Sequence, residues 1–252
     1  MIVLIASTPR TGSMWTYNVT RALLSAAGHT VLPTKVPKDE RELLTRVYST
    51  PPQKNATYCI KTHTRVRPGL PDTRVITTYR DMREVLLSLM RFTRDNDFEA
   101  ALARLPGLME QTDFYFDQHR EHILRLRFDD IMDDPGGVLK SINAFLDLGV
   151  DDATRSGIVS DFSKEQVSKR LKALEQVAVD GRGDVGGKKK KAYDTVQNKD
   201  GSYRVFDRAT SFQSGHITSK GKAEWREVFT PEQQDRINEI AGDWLKKYGF
   251  SV

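Results

Sequence analysis

The first candidate site is a short loop after an apolar run near the start of the chain. Residues 7–15 read Ser-Thr-Pro-Arg-Thr-Gly-Ser-Met-Trp and lie between a predicted strand and a predicted helix. Backbone N–H groups and the positive end of a helix dipole converge at such a turn, which suits an anion. Gly12 would allow close approach of a ligand, and Arg10 would add positive charge. Ser13 and Thr16 would add hydroxyl donors. The loop lacks the spacing and lysine of a Walker A motif, and an ordinary strand-to-helix turn is the alternative interpretation.

A second candidate pair, Lys61 and His63, stands two residues apart at the end of another predicted strand. Side chains alternate along an extended chain, so these two would point to the same side. A histidine that is neutral near pH 7 can take a proton from an attacking hydroxyl group. A surface lysine beside a hydrogen-bonded histidine is the alternative interpretation.

The third candidate pair is Arg80, at the end of a further predicted strand, and Ser88, eight residues later on a predicted helix. A guanidinium group offers a planar fork of donors suited to phosphate. Eight residues of helix span about 12 Å, so Arg80 would have to extend along the helix to share a ligand with Ser88. A salt-bridged arginine and a serine on a helix face are the alternative.

The chain that carries these residues alternates short β-like runs with helical patterns, which predicts an α/β, three-layer fold with a mostly parallel central sheet. Asp81 and Glu84 form a capping-box pattern at the start of the second predicted helix. A break is predicted near Pro106 and Gly107. The predicted strands are 2–6, 57–61, 74–79 and 122–128, and the predicted helices are 13–27, 81–92, 98–119, 137–146, 163–179 and 231–248.

Length and composition limit the possible functions. The chain has 252 residues and a net charge of +5, which predicts one domain over residues 1–252 and fits an anionic ligand. No apolar run approaches the roughly 18–20 residues of a membrane span, and the opening run is too short for a signal peptide. We therefore predict a cytoplasmic protein. A single cysteine, Cys59, excludes an internal disulfide and argues against a cysteine-based metal site.

Residues 180–220 differ from the rest because they are poor in apolar side chains. We predict a mobile loop at about residues 180–218 rather than a linker between domains. The run Lys188–Lys191 supplies most of the positive surplus of the chain. It is either a solvated loop or a lid that attracts an anionic substrate.

Together these segments resemble the cytosolic-type sulfotransferases, which use 3′-phosphoadenosine 5′-phosphosulfate (PAPS) and have a P-loop NTPase-like fold. Residues 9–15 are similar to the family's 5′-phosphosulfate loop, with Met14 in place of a hydroxyl residue. Residues 61–63 match its Lys-Thr-His motif. Residues 79–88 resemble its Arg-Asp-Pro-Arg motif and following serine, with Met82 for proline. Residues 219–225 resemble its Arg-Lys-Gly-x-x-Gly-Asp-Trp segment, in which Lys220 and Gly221 match.

The resemblance implies a role for each of these residues. His63 is expected to be the general base, with Lys61 and Arg10 stabilising the transferring sulfuryl group, and no metal is expected. Trp15 is expected to pack on adenine, and Arg80, Ser88, Lys220 and Gly221 to bind the 3′-phosphate. The nucleotide-binding residues implied in this way are Arg10, Thr11, Gly12, Ser13, Trp15, Arg80, Ser88, Lys220 and Gly221.

The implied acceptor is the hydroxyl or amine of a small molecule, a glycan or a lipid, and no nucleic-acid partner is expected. Nothing in the sequence predicts the oligomeric state. One alternative is a nucleotide or small-molecule kinase with a degenerate P-loop, which would need Mg²⁺ and a Lys-Ser/Thr pair. Another is a non-catalytic polyanion-binding protein, which would show steep salt dependence and indifference to a 3′-phosphate.

Overall fold

A computed structural model describes most of the chain: residues 1–35, 44–45, 47, 55–66, 72–118, 120–180, 193–197, 201, 203–214 and 223–252. The strands are β1 (Ile2–Ala6), β2 (Thr30–Leu32), β3 (Ala56–Thr62), β4 (Thr73–Tyr79), β5 (Ile123–Arg127), β6 (Tyr193–Gln197) and β7 (Tyr203–Asp207). The helices are α1 (Ser13–Ala26), α2 (Met82–Thr93), α3 (Phe98–Leu102), α4 (Leu105–Phe116), α5 (Phe128–Asp133), α6 (Pro135–Phe145), α7 (Asp152–Asp161), α8 (Lys164–Asp180), α9 (Trp225–Val228) and α10 (Pro231–Lys247).

The central sheet has five parallel strands in the order β2-β3-β1-β4-β5. In its register Ile5 of β1 lies opposite Lys61 of β3 on one side and Ile76 of β4 on the other. The strand order therefore reverses at β1. In open parallel sheets, ligands bind outside the carboxyl ends of the strands at such a reversal.

Helices cover both faces of this sheet and produce two apolar layers around it. On one face Val3 and Ile5 pack with buried residues of α1, α6 and α7, among them Leu23 and Ile142. On the other face Leu4 packs with β3, β4 and Tyr115 of α4. All five residues of β1 are buried, as expected for a strand covered on both sides. This arrangement confirms the predicted α/β fold with its mostly parallel sheet.

The starts of the helices follow the local sequence. Asp81 caps α2, since its side chain accepts a hydrogen bond from the backbone N–H of Arg83. Pro106 lies in the first turn of α4. Backbone N–H groups in this turn have no partner within the helix, so a proline costs no helical hydrogen bond there. The predicted break near Pro106 and Gly107 therefore falls between α3 and α4, just before the proline. Within the described part of the chain, no helix is both long enough and apolar enough to cross a membrane.

The predicted loop at residues 180–218 contains regular structure that the sequence analysis missed. Strands β6 and β7 pair antiparallel as a hairpin, so the prediction of a loop is wrong for these residues. Val205 and Phe212 are buried against Val167 and Leu171 of α8. Each strand has only five residues, which leaves little apolar pattern to detect. The Lys188–Lys191 run lies outside the described residues, and the short elements β2 and α7 were also not predicted.

Candidate active site

A cavity of about 710 Å³ lies at the carboxyl ends of β1, β3 and β4. It brings together the three candidate segments around Arg10, Lys61 and Arg80, because each lies at the carboxyl end of one of these strands. Thr11 is not among the residues that line it, and Lys220 and Gly221 lie outside the described residues. The predicted site residues that line the cavity are Arg10, Gly12, Ser13, Trp15, Lys61, His63, Arg80 and Ser88.

The loop after β1, residues 7–12, leads directly into α1 through Gly12. Gly12 is the N-cap of α1 with a φ of 100°, a conformation that favours glycine. A Cβ atom there would lie 3.0 Å from Ile131 Cδ1 and 3.1 Å from Phe128 Cδ2. Gly12 has no side chain that could cap this first turn of α1. The first N–H groups of a helix can bind an anion at such a position.

The hydroxyl groups of Thr11 and Thr16 serve the loop itself. Thr11 is fully buried, and its Oγ1 donates to the Thr8 carbonyl at 2.7 Å and contacts Thr78 Oγ1 at 2.7 Å. Thr16 Oγ1 donates to the Gly12 carbonyl at 3.3 Å. Both hydroxyls therefore hold the loop in this structure, and the nucleotide contact of Thr11 stays a prediction.

Arg10 joins the loop to α2. Its Nε donates to Ser88 Oγ at 3.0 Å, and its guanidinium carbon lies 4.4 Å from the centre of the Phe92 ring. The φ of Arg10 is 68°, in the left-handed region that a non-glycine residue seldom adopts. Burial, and then the positive charges of Arg80 and Arg204, lower the pKa of Arg10 to about 10. The guanidinium still carries its charge at neutral pH.

Arg80 is the most buried cation at the site, with 5% of its surface exposed. Its Nη2 lies 3.1 Å from Glu84 Oε2, and its Nη1 donates to the Arg10 carbonyl at 3.4 Å. Its guanidinium stacks over the Phe128 ring, with the central carbon 4.0 Å from the ring centre. Glu84 thus pairs with Arg80, whereas the sequence analysis assigned it to a capping box. Arg10 contacts both predicted residues, Arg80 through its carbonyl and Ser88 through its Nε.

His63 has a defined tautomer. Its Nδ1 lies 2.8 Å from the Ser7 carbonyl oxygen, which can only accept a hydrogen bond, so Nδ1 carries the hydrogen. In the neutral ring the lone pair then belongs to Nε2, which lies 3.0 Å from Lys61 Nζ. A histidine in this state can accept a proton at Nε2.

The surroundings of His63 keep its ring neutral. The side chain is accessible from the cavity. Desolvation by the surrounding protein, followed by the positive charge of Lys61 and then that of Arg10, lowers its pKa to about 3. The hydrogen bond to Ser7 acts in the opposite direction without cancelling these effects. At neutral pH the Nε2 lone pair is therefore unprotonated.

The described lining residues fall into two sets. The polar lining contains four cations and, among the described residues, no carboxylate: its members are Arg10, Ser13, Lys61, His63, Arg80, Ser88, Thr93, Ser163, Lys164 and Gln213. The apolar lining consists mainly of aromatic and branched side chains: Phe92, Phe128, Ile131, Val159, Phe162, Val167, Leu171 and Phe212. The cavity can therefore hold a molecule with a strongly anionic part and an apolar part.

Two supporting contacts of the site were not predicted. The Trp15 Nε1 donates to the Phe162 carbonyl at 3.1 Å, which fixes the indole ring against the apolar lining. The Gln111 amide on α4 donates to the carbonyls of His63 and Ser7. Gln111 is far from both in sequence, and a single buried amide on a helix gives no motif. No pattern in the sequence could have identified it.

Comparison with protein families gives one match over nearly the whole chain. A family model described as a sulfotransferase domain matches residues 2–249. That range includes every segment on which the resemblance was based. A search of curated proteins finds no match.

Comparison with solved structures gives similar folds at low sequence identity. Mouse sulfotransferase SULT7A1 complexed with PAP has a TM-score of 0.64 and 19% identity, over 98% of this chain and 87% of that chain. Retinol dehydratase with androsterone and the inactive cofactor PAP has a TM-score of 0.62 and 16% identity, over 100% of this chain and 82% of that chain. A second retinol dehydratase structure, with retinol and PAP, has a TM-score of 0.62 and 17% identity, over 100% and 82%.

Proposed function

The chain belongs to the sulfotransferase family, and from this premise we propose that it moves a sulfuryl group from PAPS to the hydroxyl or amine of an apolar acceptor. The observation that carries the proposal is the neutral His63, whose Nε2 lone pair lies beside Lys61 at the cavity. PAPS would supply the sulfuryl group and leave as 3′,5′-ADP (PAP). Everything else in the reaction is the work of residues in the chain.

His63 is the proposed general base. As the acceptor oxygen attacks sulfur, Nε2 takes its proton, and the bond from sulfur to the phosphate oxygen breaks in line. The lone pair is available at neutral pH because the His63 pKa lies far below 7. Lys61 Nζ, now 3.0 Å from Nε2, would turn toward the sulfuryl oxygens when the acceptor hydroxyl takes its place.

The polar side of the cavity has two proposed tasks: to neutralise developing charge and to hold the 5′-phosphate. Lys61 and Arg10 neutralise the charge that develops on the sulfuryl oxygens and the leaving phosphate, as positioned cations do in phosphoryl transfer. The N–H groups at the start of α1 and the Ser13 hydroxyl hold the 5′-phosphate. Arg10 also donates to Ser88. Its side chain would therefore connect the proposed site of the 5′-phosphosulfate with that of the 3′-phosphate.

The 3′-phosphate of the donor is assigned to Arg80 and Ser88, with Lys220 and Gly221 completing the set. Arg80 is buried and oriented by Glu84, so its guanidinium is held in place before the ligand arrives. Trp15, held by Phe162, is the proposed adenine contact. Binding energy from this phosphate, remote from the sulfur, would hold the donor in position for attack.

The acceptor is proposed to be an apolar small molecule or lipid with one reactive hydroxyl or amine. The support is the apolar lining, to which α7, α8 and Phe212 contribute side chains. The retinol and androsterone in the retinol dehydratase structures are apolar alcohols of this kind. A glycan, which exposes many hydroxyls, fits this lining less well.

Calorimetry with 3′,5′-ADP in the absence of Mg²⁺ tests the proposal, with 5′-AMP as the matched ligand that lacks the 3′-phosphate. We expect 3′,5′-ADP to bind at least about 100-fold more tightly than 5′-AMP, because its 3′-phosphate adds about two charge-assisted hydrogen bonds. Equal affinity for the two nucleotides, or no binding of either, would refute the donor assignment. A requirement for Mg²⁺ would favour a kinase.

A further inference from the structure

Helix α4 lies beside the active site and presents Gln111 to it. Gln111 is buried, with 9% of its surface exposed. Its Nε2 donates to the His63 carbonyl at 2.8 Å and to the Ser7 carbonyl at 3.3 Å. Both partners are carbonyl oxygens, which only accept, so the nitrogen end of the amide must face them.

The Ser7 carbonyl is shared between two donors, the Gln111 amide and the Nδ1–H of the His63 ring. Gln111 therefore holds both ends of the hydrogen bond that selects the His63 tautomer. It holds the backbone of His63 through the residue's own carbonyl, and it holds the oxygen to which the ring donates. A shift of either group would change the direction of the ring.

Two neighbours of Gln111 hold the adjoining segments but not this hydrogen bond. Thr112 Oγ1 contacts Thr8 Oγ1 at 2.9 Å, in the loop after β1. The Tyr115 hydroxyl donates to the Thr64 carbonyl at 2.8 Å and accepts from the Val66 N–H at 3.2 Å. One face of α4 thus holds the loop after β1 and the end of β3 at a fixed separation.

We propose that Gln111 is a positioning residue for His63: it keeps the Ser7 carbonyl in place as the acceptor for Nδ1–H and thereby keeps the lone pair on Nε2. The inference rests on the proposed role of His63 as general base. The other tautomer would carry hydrogen on Nε2 and could not take a proton from the acceptor there. A small displacement of a catalytic group is also costly, because a shift of about 1 Å can lower turnover about 100-fold.

Among the described residues, few charged groups face His63. Lys61 approaches from β3 and Arg10 from the loop after β1, and both disfavour the protonated ring. On α4, Glu110 precedes Gln111 but pairs with Arg65 at 2.9 Å on the surface. Gln111 is neutral, so its effect on His63 is geometric. A negative charge placed at position 111 would change that balance.

The test uses Gln111→Met, which keeps the side-chain length and removes both hydrogen bonds, and Gln111→Glu, which cannot donate to either carbonyl. Gln118→Met is the matched control. It makes the same chemical change just beyond the end of α4, where the Gln118 amide bonds only to the Phe114 carbonyl among the contacts described. Nitrogen-15 NMR of labelled histidine reads the tautomer and the pKa, and His63→Gln assigns the His63 signals.

In the wild-type protein and in Gln118→Met we expect His63 to carry hydrogen on Nδ1 and to stay neutral down to about pH 5. In Gln111→Met we expect a mixture of the two tautomers. In Gln111→Glu the carboxylate should stabilise the protonated ring and raise its pKa by at least one unit. With any acceptor that the wild-type protein sulfates, kcat of Gln111→Met should fall about 10-fold to 100-fold.

Unchanged His63 signals in Gln111→Met would overturn the inference, as would equal changes in Gln118→Met. Affinity for 3′,5′-ADP should stay within about twofold in both Gln111 variants, since neither hydrogen bond touches the polar lining other than at His63. If the wild-type protein does not bind 3′,5′-ADP, the proposed function fails instead. The NMR result does not depend on that binding, so the two failures are distinct.

Discussion

The polar lining and the apolar lining of the cavity are built in different ways. Most of the polar lining follows the ends of β1, β3 and β4, whose relative positions are set by the register of a parallel sheet. Much of the apolar lining comes from α7, α8 and the segment after β7, which are held mainly by side-chain packing. Sheet hydrogen bonds allow only discrete registers, whereas packed apolar side chains tolerate exchange at similar volume.

In the proposed reaction, the polar lining therefore binds the nucleotide and the apolar lining binds the acceptor. The polar lining must match one fixed donor, with its phosphates at set distances. The apolar lining must match an acceptor through shape and volume. Changes in the polar lining should therefore affect donor binding or turnover steeply and specifically, and changes in the apolar lining should affect acceptor affinity gradually.

The largest expected effect is on turnover. Replacing the proposed base, as in His63→Gln, should lower kcat between about 100-fold and 10,000-fold, since proton transfer contributes on that order. Affinity for 3′,5′-ADP should change less than about twofold in calorimetry. His29→Gln is the control, because His29 bonds to Thr57 near the amino ends of β2 and β3, away from the cavity. Lost nucleotide binding in His63→Gln would place His63 with the donor contacts instead.

The second effect is on donor affinity. Ser88→Ala removes the hydroxyl that accepts from Arg10, and it should weaken 3′,5′-ADP binding about 10-fold to 100-fold, as expected for a hydrogen bond to a charged group. Binding of 5′-AMP should not change, because it lacks the 3′-phosphate. Ser141→Ala, on the exposed face of α6, is the control and should leave both nucleotides unaffected. Equal weakening of both ligands would remove Ser88 from the 3′-phosphate site.

The third effect is on the apolar lining. Phe212→Leu keeps an apolar side chain but reduces its volume, and Phe212 is only 2% exposed. Binding of 2-naphthol, a fluorescent apolar alcohol, should weaken about 3-fold to 10-fold, while 3′,5′-ADP affinity stays the same. The control is Tyr203→Leu, an exposed aromatic residue on the same hairpin. A shared loss of nucleotide affinity would contradict the division between the two linings.

The smallest effect is on the pH dependence of stability. The folded-state pKa of His63, about 3, lies below its ordinary value of 6.5. As pH falls through 6.5 the unfolded chain gains a proton that the folded chain does not, so the wild-type protein loses stability between about pH 6.5 and 3. His63→Gln should lose less stability over the same pH range. Thermal unfolding from pH 8 to pH 5 measures this, and parallel curves for the two proteins would contradict the low pKa.

The sequence predicted much of the polar lining and little of the apolar lining. His63 and Arg80 each come just after a short predicted strand, and a polar residue at that point is a local pattern. The hairpin of β6 and β7 became visible only in the structure because its buried residues, such as Val205, meet α8 across the fold. Gln111 could not be predicted because its role depends on the packing of α4, which no local pattern encodes.

The hydroxyl of Thr11 shows a different limit of motif reasoning. The motif places Thr11 among the ligand-binding residues, but its side chain bonds to Thr8 and Thr78 within the protein. A motif records that a residue type is needed, not whether it faces the ligand or supports the loop. Only the direction of the side chain separates the two roles.

The central position of β1 has a consequence for synthesis of the protein. β1 pairs with β3 and β4, where Ile2 lies opposite Tyr58 and Thr73, both far along the chain. At translation rates of about 5–20 residues per second, several seconds pass before both neighbours have left the ribosome. During that time the wholly apolar segment Ile2–Ala6 has no partner strand. The central strand can therefore pair only after both neighbours have been made, and a bound nucleotide can stabilise the fold only after that stage.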